Sequence, residues 1–484
     1  MSDDTLTYVD ASCHCELNTF SVAFLTTSLP LSTDLCHCTT CRHVTGQLAV
    51  EHVSIVGVPI TSSRPTSRSH GRTVTPGQRS RSRSPGGLKS RSPSQNPLVN
   101  NHVQYTPSTN GSLLAPPTIV VVNDEPRQPF DLGDLTAYKS SPDVTRYFCR
   151  SCAAHLFWVH HGAATTVTGE GEHTTADKWA VAVGALTETE DIVKVGFHIW
   201  VGDTLDGGLA DHLTKIDGVE LPRYKEGEGS EQVPIRRKDL GEAVTKVKAP
   251  NGHSLHGQGG AASNEQLGGY CHCGTISYAI TRPNEQSFFP TAAYPDLIYP
   301  HDATRLSKVN NPNDEKWWLC PRTPAHNGSS SDSSASSSSA SSDIVDESKT
   351  KYLAGHCMCT YCRLTSGFEI QSWAFVPLAN IVSPAGSDVP LYLALNEARP
   401  KGLKQYISSP GRYREFCGTC GATVCWWQAG VPGLVNVSVG LLDEKVGGAR
   451  AEQWLEWHKD RVSFEGEALS PKLAEGLHDG LIAS

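Results

Sequence analysis

A chain of 484 residues exceeds what one hydrophobic core usually organises, so two domains are expected; with 38% apolar residues, 43 Gly and 30 Pro, a sizeable part of it joins no core. A net charge of −9 argues against general nucleic-acid binding, the acidic stretch Met1 to Asp10 lacks the pattern of a signal peptide, and no apolar run approaches membrane length. An intracellular protein, cytoplasmic or nuclear, is the expectation, and there sixteen cysteines are better explained by metal than by disulfides.

Along the chain the cysteines arrive in a fixed order. Cys13 and Cys15 come first, then Cys36, Cys38 and Cys41, then Cys149 and Cys152. The same order follows in Cys271 and Cys273, then Cys357, Cys359 and Cys362, then Cys417 and Cys420, leaving only Cys320 and Cys425 outside. Leu135, Tyr138, Ser140, Ser141, Pro142, Arg146 and Phe148 recur 268 positions later as Leu403, Tyr406, Ser408, Ser409, Pro410, Arg414 and Phe416. Val181, Val183, Gly184, Leu186 and Glu188 reappear as Val437, Val439, Gly440, Leu442 and Glu444. Such self-similarity reads as duplication.

The interruptions differ between the copies, as surface loops permit. An Arg/Ser-rich stretch at about 61–126 interrupts the first domain, residues 8–220, and reads as disordered. Residues 221–266, rich in Gly and mixed charge, read as a linker, and the second domain, 267–470, holds a Ser-rich insertion at about 321–350. Short runs such as His155 to His160, Val181 to Val183, Ile276 to Ile280, Ala422 to Trp427 and Val435 to Val439 carry β-branched and aromatic residues between Gly and Pro punctuation. The fold class expected is mainly β: two tandem, zinc-binding β domains with disordered insertions.

A CxC or CxxC pair on a tight turn presents two thiolates to one tetrahedral zinc, so two such pairs close a four-sulfur site. Cys13, Cys15, Cys149 and Cys152 form one such quartet, and Cys271, Cys273, Cys417 and Cys420 the other. That leaves Cys36, Cys38 and Cys41, and Cys357, Cys359 and Cys362, as triplets. Each triplet either binds a zinc with its fourth corner open, the mark of a reactive site, or is a second structural site completed by a histidine such as His14, His37, His272 or His356, or binds no metal. Arg42 and Arg363 follow the triplets directly; they either offset the site charge, meet an anionic substrate group, or are solvated surface arginines. Trp426, Trp427 and Cys425 read as core packing.

This arrangement resembles the glutathione-dependent formaldehyde-activating family, the centromere-protein-V/GFA type, which shares the Mss4-like fold. The resemblance lies in Cys13-His14-Cys15, Cys36-His37-Cys38 to Cys41-Arg42, Phe148-Cys149 to Cys152 and His198-Ile199-Trp200, then in Cys271-His272-Cys273-Gly274, Cys357 to Cys362-Arg363 and Phe416-Cys417 to Cys420-Gly421. It implies two Zn²⁺ per domain, structural on the quartet and catalytic on the triplet, and carbon–sulfur lyase activity on a thiol adduct such as S-hydroxymethylglutathione. The implied partner is a small-molecule thiol, glutathione first. Glu16 and Ala153 stand where the family places turn glycines, Met358 replaces the usual His, and the second copy has no evident His-Ile-Trp element, only Trp454, Trp457 and His458 nearby. The competing function is a noncatalytic zinc-binding adaptor whose Arg/Ser-rich loop recruits partners; a protein side chain in the fourth corner of both triplets would favour it.

Overall fold

The computed structural model describes residues 5–62, 127–167, 173–235, 265–301, 309–321, 350–384 and 401–484. The Arg/Ser-rich stretch, most of the Ser-rich insertion and residues 236–264 lie outside them.

In the first half, β1 (Leu6–Ser12), β2 (Thr19–Leu25), β3 (Leu31–Cys36), β4 (Val50–Ser54), β5 (Ile60–Thr61), β6 (Leu135–Ser141), β7 (Val144–Cys149), β8 (His155–Val167), β9 (His173–Ala182) and β10 (Val193–Ile199) are followed by a small hairpin of β11 (Lys215–Ile216) and β12 (Val219–Glu220). In the second half come β13 (Gln266–Tyr270), β14 (Ser277–Thr281), β15 (Leu319–Cys320), β16 (Lys351–Cys357), β17 (Gln371–Pro377), β18 (Ile381–Val382), β19 (Leu403–Ser409), β20 (Arg412–Cys417), β21 (Thr423–Gln428), β22 (Leu434–Ser438) and β23 (Leu455–Trp457). Four helices are named here: α1 (Thr39–Thr45), α2 (Thr360–Ser366), α3 (Glu444–Gly447) and α4 (Pro471–Ala483). The chain is mainly β, and no helix among the described residues is long and apolar enough to cross a membrane.

The first large sheet runs β10-β3-β4-β9-β8-β7-β6 and the second β16-β17-β22-β21-β20-β19, with β23 and β15 both paired to β16. Strand for strand, the order is the same once β23 is set against β10, and in both sheets that edge pair is the parallel one. Each half adds a three-stranded sheet, β1-β2-β5 or β13-β14-β18. β-branched and aromatic residues fill these strands, and those facing inward, such as Phe20, Phe157 and Val181, or Tyr278, Ala374 and Val437, are buried.

Both halves lie within one compact unit, and their contact is reciprocal. The His14 amide donates to Leu364 O at 3.0 Å, and the His272 amide donates to His43 O at 2.9 Å. Gly46 and Gly367 end α1 and α2 in left-handed conformation, with φ of 82° and 88°. A side chain on Gly184 would run into Gly367 at 2.7 Å, and one on Gly440 into Gln47 O at 2.3 Å, so these glycines let the two backbones touch. Residues 221–235, the first part of the stretch read as a linker, pair back onto the first half: the His198 amide donates to Pro222 O and the Tyr224 amide to His198 O. At the C-terminal end, α4 lies against the β11 segment, where its Gly480 approaches His212 O and its Lys472 pairs with Asp217.

Candidate metal centres and the cavity at one of them

The quartets form where a turn after β1 or β13 meets the turn joining β7 to β8 or β20 to β21. Cys13 and Cys15 bring their sulfurs to 3.5 Å, and Cys15 lies 3.6 Å from Cys149. In the second half the matching separations are 3.4 Å for Cys271 to Cys273 and 3.5 Å for Cys273 to Cys417. All four sulfurs of each quartet lie within 4.8 Å of one another. A tetrahedron with metal–sulfur bonds of about 2.3 Å has sulfur–sulfur edges of about 3.8 Å, so the clusters are of a size to hold a metal ion. The turn shape does not depend on glycine: Glu16 and Ala153 take φ of 56° and 67°, beside 72° at Gly274 and 81° at Gly421.

The triplets sit at the starts of α1 and α2. Cys38 caps α1, its sulfur accepting from the Cys41 amide at 3.3 Å, and Cys359 caps α2 in the same way from Cys362 at 3.3 Å. The three sulfurs of each triplet also lie within 4.8 Å of one another, and among the described residues no His, Asp or Glu ligand atom joins them. The four histidines considered as completing ligands are engaged elsewhere. His14 shares a hydrogen bond with Tyr406 at 2.7 Å and His272 with Tyr138 at 2.7 Å; His37 shares one with His198 at 2.9 Å, and His356 one with His212 at 3.0 Å and another with Ser372 at 2.9 Å. Burial pushes His198 down to about 3, so this ring is neutral near pH 7.

Arg42 and Arg363 are neither solvated nor placed to meet a substrate. Arg42 is fully buried, donating to His37 O at 3.1 Å and pairing with Glu444 of the second half at 3.3 Å. Arg363 donates to Gly184 O at 2.6 Å and Leu186 O at 3.1 Å in the first half. A short helix turns the residue after its third cysteine toward the neighbouring half, which position in the sequence alone does not reveal. The arginines that face the sulfurs are Arg146, with Nη2 3.1 Å from Cys41 Sγ, and Arg414, with Nη2 3.5 Å from Cys362 Sγ. Hydrogen bonds from Cys357 and Cys359 hold the Cys362 thiol well below its usual value, and the Arg414 guanidinium adds to that; Cys36, Cys38 and Arg146 act likewise on Cys41. Both arginines belong to the block repeated at an offset of 268, the signal by which the sequence could have nominated them.

The missing counterpart of His198-Ile199-Trp200 is Val462-Ser463-Phe464. The His37 amide donates to Ile199 O at 3.0 Å and the Met358 amide to Ser463 O at 2.9 Å, while Trp200 and Phe464 share a left-handed φ of 58° and 54°. Three residues further on, Asp203 accepts from the Thr39 amide at 3.0 Å and Glu467 from the Thr360 amide at 2.9 Å. Backbone conformation is kept here while side chains differ, so residue identity gave no signal.

Cys357, Cys359 and Cys362 line a cavity of about 510 Å³. Ser408, Ser409, Arg412, Gln428 and Asn436 are among its polar lining residues; Trp426, read in the sequence as core, lies on its wall with the Arg412 guanidinium 6.0 Å from the ring centre. Trp427 and Cys425 are buried in the core, as that reading had them.

Residues 344–457 match the family model of the glutathione-dependent formaldehyde-activating enzyme. The match covers the second triplet, Arg414 and the pair Cys417 and Cys420. No curated protein and no solved structure matches the chain.

Proposed function

We propose that the chain is a zinc-dependent carbon–sulfur lyase acting on a thiol adduct such as S-hydroxymethylglutathione, with two tandem GFA-type, Mss4-like domains and four Zn²⁺ in all. The observation that carries this is the second triplet: three cysteines lining a cavity, with no fourth protein ligand among the described residues. Its fit to a metal rests on the donor set, three cysteines within one ion's reach and a guanidinium beside them.

Cys357, Cys359 and Cys362 would hold the zinc, which when bound would supply the Lewis acidity that favours the thiolate form of the substrate sulfur. Three thiolates and one dication sum to a single negative charge, which Arg414 offsets. The capping bonds to Cys38 and Cys359 fix one sulfur of each triplet at the start of its helix, so that ligand is held in place before a substrate arrives. Arg412 at the cavity rim suits a carboxylate of a thiol such as glutathione. The same triplet geometry in the first half, with Arg146 in the place of Arg414, supports a second reactive centre. Sixteen free cysteines, none in a disulfide, suit a compartment that keeps thiols reduced.

The test is X-ray absorption on the zinc-loaded protein. The average sulfur count per zinc should rise from about 3.5 to about 4 when glutathione is added, as paired four-sulfur and three-sulfur sites require. An unchanged count, with no binding heat, would favour the adaptor.

A further inference from the structure

We infer that the carbonyl partner at the second site carries an apolar, ring-sized arm in place of a hydrogen of formaldehyde; this rests on the thiol-adduct function proposed above. The cavity lining is mixed: beside its polar residues stand Ala292, Leu297, Trp317, Trp373 and Phe375, each at most 9% exposed, with Phe375 paired to Asn436 across adjacent strands and Ala293 and Tyr294 nearer the solvent. Three of those five, Ala292, Leu297 and Trp317, come from the interval between Cys273 and Cys357, which spans 84 positions against 21 between Cys15 and Cys36. The second half has thus built an apolar wall from chain that the first half does not have at that interval.

That wall is held rigidly. Ala292 O accepts from Asn311 Nδ2 at 2.8 Å and from Trp317 Nε1 at 3.3 Å, and the Trp317 ring stands edge-on to Phe375 with centres 5.0 Å apart. Asp296, 3% exposed, accepts from the Phe464 amide at 2.7 Å and from Ser463 at 3.2 Å, and pairs with Arg461 at 3.1 Å. It thereby ties the wall to the segment beside Cys357, whose own backbone bridges Ser463. A fixed apolar surface cannot close over a small substrate, so a formaldehyde adduct would leave it without contacts. A larger arm would be desolvated against those apolar residues, while the polar lining residues take the thiol's charged groups.

The chemistry remains balanced for such a substrate. The thiol sulfur bonds to the carbonyl carbon, the carbonyl π electrons move onto oxygen, and the thiol proton ends on that oxygen; the lyase direction reverses each step. No oxidant or reductant enters.

The experiment uses the full zinc-loaded chain with glutathione and, in turn, formaldehyde, isobutyraldehyde and benzaldehyde, reading the exchange between free aldehyde and hemithioacetal by magnetisation transfer. Enzyme-dependent exchange with benzaldehyde or isobutyraldehyde should exceed that with formaldehyde by about tenfold or more in kcat/KM, the order of discrimination a hydrophobic pocket supplies. Ala293→Phe, which fills space beside those apolar residues from an exposed position, should reduce that ratio at least tenfold. A rising sulfur count at zinc together with a preference for formaldehyde, or a ratio unmoved by Ala293→Phe, would overturn this inference and leave the proposed function standing. No thiol uptake and no exchange with any of the three would overturn both.

Discussion

The Tyr406 hydroxyl lies 2.7 Å from Nδ1 of His14, the residue between two quartet cysteines of the opposite half. Tyr138 stands in the same relation to His272, at 2.7 Å. Each quartet turn is therefore fastened by the other half, and the two tyrosines are members of the repeated block. Replacing Tyr406 or Tyr138 by Phe removes one hydrogen bond and little else, so each variant should lose about 1 kcal/mol of stability. Urea midpoints at constant slope would measure it, and a loss confined to one of the two variants would show that the fastening is not reciprocal.

The left-handed turns make a second, opposite prediction. Glu16 pays for a φ of 56° that Gly274 adopts freely at 72° in the second half. Glu16 is exposed, and a side chain at Gly274 would meet nothing within 4 Å, so crowding decides neither position. Glu16→Gly should stabilise by about 0.5–1 kcal/mol and Gly274→Ala should destabilise by about as much or more. Denaturant unfolding of the two variants checks the crossover.

Much of the site was legible because spacing constrains metal geometry: the quartet and triplet cysteines could be grouped from CxC and CxxC alone, and those groups are the ones that gather within 4.8 Å. The strand runs read from β-branched and aromatic residues also lie on strands, as with His155 to His160 on β8 and Val435 to Ser438 on β22. Arg42 and Arg363 were misjudged because adjacency to a ligand says nothing about which way a seven-residue helix faces. The contact between halves, with Gly184 against Gly367 and Gly440 against Gln47, depends on pairings of residues far apart in the chain, and no local pattern announces them. The cavity wall from Ala292 to Trp317 was obscured for a related reason, since it lies in an interval that the repeat comparison treats as an interruption.

A pH dependence follows from Glu51, which is buried and accepts from Thr33 at 2.6 Å. Burial pushes its carboxyl up, and the nearby Glu369 and Asp34 carboxyls add to the rise over the opposing Thr33 bond, to about 8. Raised above its unfolded value, it binds a proton in the folded state that the unfolded chain has released. Its contribution is complete below the unfolded value near 4.5 and is lost as pH rises through about 8. Stability should fall by at most about 1.4 kcal/mol per pH unit from this group in that window. In Glu51→Gln that slope should vanish between pH 6 and 8; a variant with the parental slope would remove Glu51 as its source.

Arg414 supplies a charge that no other described group near Cys362 replaces in hydrogen-bond contact with that sulfur. It is 6% exposed, and its loss would leave a buried, net-negative cluster uncompensated. Arg414→Met should cost about 3 kcal/mol or more in zinc-replete buffer, the scale for breaking a buried ion pair by removing one partner. Arg414→Lys, keeping the charge, should recover part of it. Equal losses in the two variants would mean that packing of the guanidinium, and not its charge, is what the site needs.

The quartets and triplets should respond differently to loss of one ligand, and the contact between halves makes the difference directional. A closed four-sulfur zinc site contributes on the order of 10 kcal/mol to folding, and Cys149 joins the turn after β1 to the turn after β7, segments far apart in the chain. Cys149→Ser should therefore unfold the first half. A triplet joins residues within six positions of one another, and the helix that carries it is capped by the Cys359 sulfur, which this substitution leaves in place, so Cys357→Ser should be milder. The first quartet also bears on the second triplet: the His14 amide donates to Leu364 O in α2 at 3.0 Å, and the His14 ring lies 5.0 Å from that of Tyr361, between Cys359 and Cys362. Loss of the first quartet should then loosen α2 and weaken thiol uptake at the second triplet, although no ligand there has changed. Zinc content, the unfolding midpoint and the sulfur count on adding glutathione, measured together on Cys149→Ser and Cys357→Ser, separate these effects. Uptake at the second triplet that persists undiminished after the first quartet is emptied would show that the two halves hold their metals independently.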